Sequence, residues 1–361
     1  MSQAQLALQT TLNQPPVVRS RADDYYLSAN QDLDQIRKIA QVESLFLRYP
    51  LLDELTKDID HCRIHSKISA EPECMFIGGL PGAGKTTLQL HYKEMVPGGM
   101  IGDKETLPVL MVRAPARGTE KKLVTALLRS IGDPAAELGS ADRQTARLLH
   151  FMDEFQVEIV AIDEFQQFVD KDNSRVLQNQ CDWLKDLIDG SRRAFLLCGI
   201  PWAVHILEKP QNEQLSRRIS IRKQLNPFGW DIKEEKAVFR AFLKKIDIHL
   251  PLPQRSRLGS TQLSYRFFCA TNGRIGKIMK LIRSATEIAI LENMPHLDLI
   301  VLARAYQERL MADHPERVNP FESNFADLKP IPFVEYAPDF NKPGREWGSR
   351  RREAASRILR K

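Results

Sequence analysis

Nowhere in the 361 residues do eighteen apolar residues run together, so no membrane-spanning helix is expected. The opening Met1-Ser-Gln-Ala-Gln has neither the positive start nor the apolar stretch of an export signal, and a cytoplasmic location is the expectation. Cysteine is scarce. The five residues at 62, 74, 181, 198 and 269 are odd in number and scattered, which excludes a disulfide scaffold and suits free thiols in a reducing compartment. His61, Cys62, His65 and Cys74 lack the spacing of a closed zinc site, and Cys74 falls inside an apolar stretch. No internal repeat is visible. Excess positive charge is also missing from most of the chain: positions 342–361 hold eight Lys and Arg against Glu346 and Glu353, which equals the whole net charge of +6. The basicity therefore describes a tail and not a folded surface. The apolar content of 43% is enough for an ordinary domain with a smaller one beside it.

What is present is organised around Gly79-Leu-Pro-Gly-Ala-Gly-Lys-Thr86, which fits the phosphate-binding pattern G-x-x-x-x-G-K-[ST]. The apolar Cys74–Gly78 before it reads as a buried strand and Thr87-Leu-Gln-Leu-His-Tyr after it as a helix, which is the context the motif requires. Glycines let the backbone turn its N–H groups toward phosphate oxygens, and the helix adds its positive end. Gly79, Pro81, Gly82, Ala83, Gly84, Lys85, Thr86 and Thr87 are the candidate contacts to ATP. Lys85 supplies charge to the β- and γ-phosphates, and Thr86 offers a hydroxyl to Mg²⁺.

Along the chain, residues 1–40 are polar and read as a loose arm, with a helix near Gln31–Val42. Val42–Leu55 has helical spacing and reads as one lead-in helix. Apolar strands are expected at Val109–Val112, Glu158–Glu164, Ala194–Gly199 and Ser220–Leu225. Helices are expected from Thr119 through Leu128, over Ala141–Phe155 and near Val176–Ile188. Strands alternating with helices imply a parallel sheet covered on both faces, with ligands at the carboxyl ends of its strands. From Trp230 the pattern is all helical, at Lys233–Ile246, Thr261–Thr271, Arg274–Leu291 and Leu297–Ala312. Asn319 to Pro343 is rich in proline and reads as an extended linker.

Asp163-Glu164 closes the third core strand. Asp163 is placed to hold Mg²⁺ through water, together with Thr86, and Glu164 to orient and deprotonate an attacking water. After the fourth strand comes Gln211-Asn-Glu-Gln-Leu-Ser-Arg-Arg-Ile219, where Arg217 or Arg218, with Arg217 preferred, is placed to reach a neighbouring subunit's γ-phosphate. Thr271-Asn-Gly-Arg-Ile-Gly-Lys277 opens a helix from which Arg274, or failing that Lys277, is placed to touch the nucleotide.

These motifs, in this order, resemble the AAA+ ATPases, and more closely the TniB/TnsC transposition-regulator ATPases. Arg48-Tyr-Pro-Leu-Leu52, Cys198-Gly-Ile-Pro201 and Asn319-Pro-Phe-Glu322 add to that resemblance, which covers roughly residues 40–325. It implies a P-loop AAA+ parallel sheet with helices on both faces at 41–229, a small all-helical lid at 230–318, and a linker with a basic tail at 319–361. It also implies an ATPase that assembles as an oligomer or filament on double-stranded DNA. Such a protein links a TniQ/TnsD-like target-selection protein to a transposase, with hydrolysis controlling disassembly. One departure bears on rate. Such ATPases usually sense the γ-phosphate with a polar residue at the tip of the fourth strand, where this chain has Cys198-Gly199-Ile200, so slow hydrolysis is the expectation.

For the DNA contact the candidates are Arg113, Arg117, Lys121 and Lys122, a basic run after the second core strand suited to phosphates and not to base reading. The tail at 342–361 either holds DNA loosely or docks the transposase, and its Trp347, Ile358 and Leu359 favour docking. Two other classes stay open: a helicase-loader or secretion-type AAA+ switch, and a signalling ATPase that binds no DNA.

Overall fold

Five short strands carry the apolar runs, and in a computed structural model they form one sheet. The structure describes residues 33–69, 71–169, 174–208, 212–313 and 318–330. Two helices, α1 (Leu33–Glu43) and α2 (Pro50–Ile68), lead to β1 (Cys74–Gly78) and α3 (Lys85–Met95). A hairpin of β2 (Gly99–Ile101) and β3 (Lys104–Thr106) precedes β4 (Val109–Arg113), α4 (Glu120–Ile131) and α5 (Ala141–Glu154). Then follow β5 (Ile159–Asp163), the short α6 (Gln166–Val169), α7 (Ser174–Ser191), β6 (Ala194–Gly199), α8 (Ala203–Leu207), α9 (Glu213–Arg218) and β7 (Ile219–Gln224). The rest is helical: α10 (Lys233–His249), α11 (Thr261–Thr271), α12 (Ile275–Leu291) and α13 (Leu299–Arg309). Among the described residues no helix is long and apolar enough to cross a membrane.

The sheet order is β4-β5-β6-β1-β7, and every pairing is parallel. All carboxyl ends therefore lie on one rim. There β6 separates β1, which feeds the glycine loop, from β5, which ends in Asp163. The central strands β1, β5 and β6 are buried throughout, as a parallel sheet covered on both faces requires. The edge strand β7 alternates buried and exposed positions and turns Ser220, Arg222 and Gln224 outward, which discourages pairing with another sheet.

Alternation along the strands splits the core in two. Cys74, Phe76, Phe195 and Leu197 face Leu123, Leu127 and Leu184 on one side. Met75, Ile77, Leu196 and Cys198 face the other side, in a cluster that runs on without a break into Phe239, Phe242, Leu281 and Leu302 of the helical region. The helical region is thus packed onto one face of the sheet through continuous apolar burial. Side-chain caps open two of its helices: Ser260 accepts from Leu263 N and Asp298 from Val301 N.

Four expectations need correction. Val42–Leu55 is not one helix, because α1 ends at Glu43 and α2 begins at Pro50. Proline suits a helix's first turn but disfavours helical geometry in the residue before it, and Tyr49 is extended at φ −142°, ψ 164°. Residues 33–40 belong to the helix expected near Gln31–Val42, found as α1, and not to a loose arm: Val42 is buried, and Gln35 Nε2 donates to Ile290 O at 3.4 Å. The β2–β3 hairpin was not expected, since three-residue strands are too short to show a pattern and its Met100 and Ile101 are exposed. Finally, the stretch read as linker from Asn319 begins inside the helical core. Asn319 Nδ2 donates to Ala303 O at 2.9 Å, and Phe321 is buried against Phe267 and Tyr306. The polar arm before residue 33 and the basic tail at 342–361 lie outside the described residues.

Candidate nucleotide site

The loop from Gly79 to Gly84 is held at both ends by backbone hydrogen bonds. Gly79 N donates to Gly199 O at 3.0 Å, and Ala83 N donates to Leu80 O at 3.0 Å. Gly82 and Gly84 have φ of 75° and 98°, a region that glycine enters without the Cβ penalty. Gly84 is followed at once by α3, so the helix's free N–H groups open onto the loop. Pro81 and Ala83 complete the loop, and Thr87 lies exposed on the helix's first turn.

Lys85 is only 6% exposed. Its Nζ donates to Gly79 O at 2.7 Å and Leu80 O at 3.3 Å, and it forms no ion pair among the described residues. Burial pushes its pKa down from the usual lysine value, while the charges of Asp163 and Glu164 pull the other way. A buried ammonium with only carbonyls as partners favours an anion arriving beside it.

Thr86 Oγ1 donates to Asp163 Oδ2, so the hydroxyl and carboxylate meant for a metal already converge from α3 and β5. The other oxygen, Asp163 Oδ1, accepts from Glu164 N at 2.9 Å. Glu164 itself sits at φ 53°, uncommon for a residue with a side chain, so the chain turns sharply as it leaves the strand. Its carboxylate accepts from Gln166 Nε2. Behind them the Cys198 thiol is fully buried, and burial followed by the charge of Asp163 pushes its pKa well up, so it is a neutral wall of the site.

The helical region closes the loop from above. Gly276 N donates to Gly82 O at 2.9 Å, and a Cβ at Gly276 would come within 2.6 Å of that oxygen. Arg274 stands just before α12 and lines a narrow crevice with Tyr49, Ala83, Asn226 and Phe228. The crevice has room for about one water molecule. Arg274 Nε is buried there without a hydrogen-bond partner among the described residues, a second cationic side chain in the site. Tyr49, Asn226, Pro227 and Phe228 were missed as site residues. The available signals were the turn Asn226-Pro227-Phe228-Gly229 and the Tyr49-Pro50 step.

The two arginines of α9 differ sharply. Arg218 is bound within the subunit, Nε to Asp189 Oδ1 at 2.7 Å and NH1 to Glu71. Arg217 is 73% exposed and bonds Glu213 one turn back at 2.6 Å. The structure thus leaves Arg217, and not Arg218, extended on the surface. Arg113, Arg117, Lys121 and Lys122 are all exposed. Arg113 ends β4 in register with Asp163, and the two lysines occupy the first turn of α4.

Loop, helix end, buried Lys85, orphaned Arg274 Nε and the Thr86–Asp163 pair together fit a nucleoside triphosphate with its cation. Bound there, Mg²⁺ would neutralise phosphate charge, held by Thr86 and Asp163.

Comparison with known proteins agrees with this architecture. The sequence matches the family described as "Bacterial TniB protein" over residues 36–228. No curated protein matches it. Among solved structures, the ORC2 protein of Aeropyrum pernix in ADPNP–ADP complexes is similar at 16% identity and a TM-score of 0.56, over 74% of this chain and 71% of that one. Cdc6p from Pyrobaculum aerophilum is similar at 15% identity and 0.54, over 75% and 71%. The Aeropyrum pernix ORC1 protein in complex with DNA is similar at 16% and 0.52, over 75% and 69%. At such identities the likeness speaks for the fold, which is that of a P-loop AAA+ ATPase.

Proposed function

The chain belongs to the TniB family, and on that premise we propose that it is an ATP-dependent regulator of DNA transposition. It assembles as an oligomer on duplex target DNA and links a TniQ/TnsD-like selector to the transposase. Hydrolysis, slow and stimulated by assembly, ends that state. Lys85 and the loop N–H groups hold the phosphates, Arg274 contacts them from the helical side, and Thr86 with Asp163 holds Mg²⁺. Glu164 is the base for the attacking water. Arg217 acts in a neighbouring subunit's site, a role for which its exposure leaves it free while Arg218 is tied down. Arg113, Arg117, Lys121 and Lys122 carry DNA phosphates.

The observation that carries the reading is the buried Lys85, bonded only to carbonyls and without an ion pair among the described residues, near Asp163 and Glu164 on the rim of the sheet, in a chain of this family. Electron microscopy with duplex DNA, with and without a slowly hydrolysed ATP analogue, tests it. The expected result is nucleotide-dependent rings or filaments on DNA that are absent with Lys85→Ala. Free monomers, or assemblies indifferent to DNA, would leave a nucleotide-gated ATPase without the DNA role.

A further inference from the structure

The tip of β6 offers no polar side chain of its own: Cys198 is buried, Gly199 has none, and Ile200 is apolar. A polar group nevertheless reaches it from another element. Gln166, the first residue of α6, is buried, and its Oε1 accepts the N–H of Ile200 at 3.2 Å while its Nε2 donates to Glu164 Oε2. The amide's orientation follows from chemistry. The flipped form would set its carbonyl against a carboxylate and its NH₂ against an N–H. A Cβ at Gly199 would stand 3.0 Å from Gln166 Oε1, so glycine at that position keeps the seat of the amide open.

The backbone around this contact is tied at every step. Phe165 N donates to Cys198 O at 2.8 Å, Gln167 N donates to Glu164 O at 2.8 Å, and Gly199 O accepts from Gly79 N. One side-chain amide therefore joins the Glu164 carboxylate to the strand end that also anchors the phosphate loop.

We infer that Gln166 is a positioning residue for hydrolysis. It holds the Glu164 carboxylate in place relative to the phosphate loop and makes that placement depend on the tip of β6. The inference rests on Glu164 being the base, as proposed above. A carboxylate on a sharp turn has several rotamers, and a base works only within hydrogen-bond reach of the water it activates. A misplacement of about 1 Å already costs on the order of a hundredfold in rate.

The test is steady-state ATP turnover and ATP affinity of the full chain, alongside its melting temperature. The variants are Gln166→Met, Gln166→Glu, Glu164→Gln and the double variant Glu164→Gln/Gln166→Met. Methionine keeps the length and removes both hydrogen bonds. Glutamate keeps the shape and the acceptor for Ile200 but sets a second carboxylate against Glu164. The expected result for both Gln166 variants is ATP affinity within about twofold of the parent and a kcat about tenfold lower or less. The double variant is expected to be no slower than Glu164→Gln alone, because a residue that acts through Glu164 has nothing left to position. Parental kcat in Gln166→Met, losses that multiply in the double variant, or affinity falling in step with kcat would overturn the inference. If the parent chain binds ATP but turns none over, the reading of Glu164 falls and the inference with it. Turnover in the parent with no effect of Gln166 removes the inference alone.

Discussion

The two ends of β5 carry charge in opposite ways. At its amino end Glu158 meets Arg63 and Lys67, the latter at 2.5 Å. Arg63 also bonds Asp60 at 2.7 Å and the Tyr92 hydroxyl at 2.9 Å. At its carboxyl end, five residues on, Lys85 is buried with carbonyls alone and Asp163 has a hydroxyl and a backbone N–H. One cluster pairs its opposite charges, and in the other Lys85 forms no ion pair among the described residues. On the reading proposed above, the difference separates charge kept for the fold from charge kept for a ligand, with the same strand as the ruler.

The largest effect that would sharpen this contrast is at Lys85. Lys85→Met is expected to reduce ATP affinity by about a hundredfold or more, while leaving the nucleotide-free chain as stable as the parent or about 1 kcal/mol more so. Binding titrations and denaturant midpoints without nucleotide check the two halves. A marked loss of apo stability would mean that Lys85 is already compensated in the fold. Arg63→Met should do the reverse, lowering stability by about 2 kcal/mol while ATP affinity holds.

The pH dependence should follow the paired end. Burial alone would raise the pKa of Glu158, but hydrogen bonds from Lys67 and Arg63 outweigh it and hold the group below the usual glutamate value. Asp60 is lowered below 3.8 in the same way, by Arg63 and Tyr92 against burial. A carboxylate with a depressed folded pKa contributes stability above its unfolded value and loses it as pH falls through the folded one. Melting temperature should therefore hold down to about pH 4.5 and fall below it. The fall should be shallower in Glu158→Gln. An equally steep fall in that variant would place the acid sensitivity elsewhere.

Why was so much of this legible in residue order? The glycine loop and the acids at Asp163-Glu164 are local signals, each bound to a strand end, and buried parallel strands read as plain apolar runs. Helix limits from α10 to α13 follow apolar spacing and caps, with Thr261–Thr271 read at both ends. What was hidden is non-local. Arg217 and Arg218 are adjacent in sequence and differ only in that Asp189 and Glu71 come from distant elements to hold one of them. Tyr49 and Phe228 reach the crevice from opposite sides of the sheet in sequence, and no spacing rule joins them. Gln166 is one polar residue in a short helix until Ile200 folds against it.

The smallest effect expected is on the exposed basic run, where neither of the two conditions at the ends of β5 applies. Lys121 and Lys122 are solvated, so truncating them should leave folding within about 0.5 kcal/mol. Their position still argues against a merely solvated face. The first turn of a helix favours acids, since the free N–H groups there carry partial positive charge, and a lysine at that place costs a few tenths of a kcal/mol. α4 sets two there beside the single acid Glu120. A helix start with added cations suits a phosphate oxygen. Lys121→Ala and Lys122→Ala should each weaken nucleotide-dependent DNA binding about threefold to tenfold, evenly across sequences, and lower the slope of log affinity against log salt by about one. An unchanged slope would move the DNA contact away from this run and leave the lysines as charge that the fold merely tolerates.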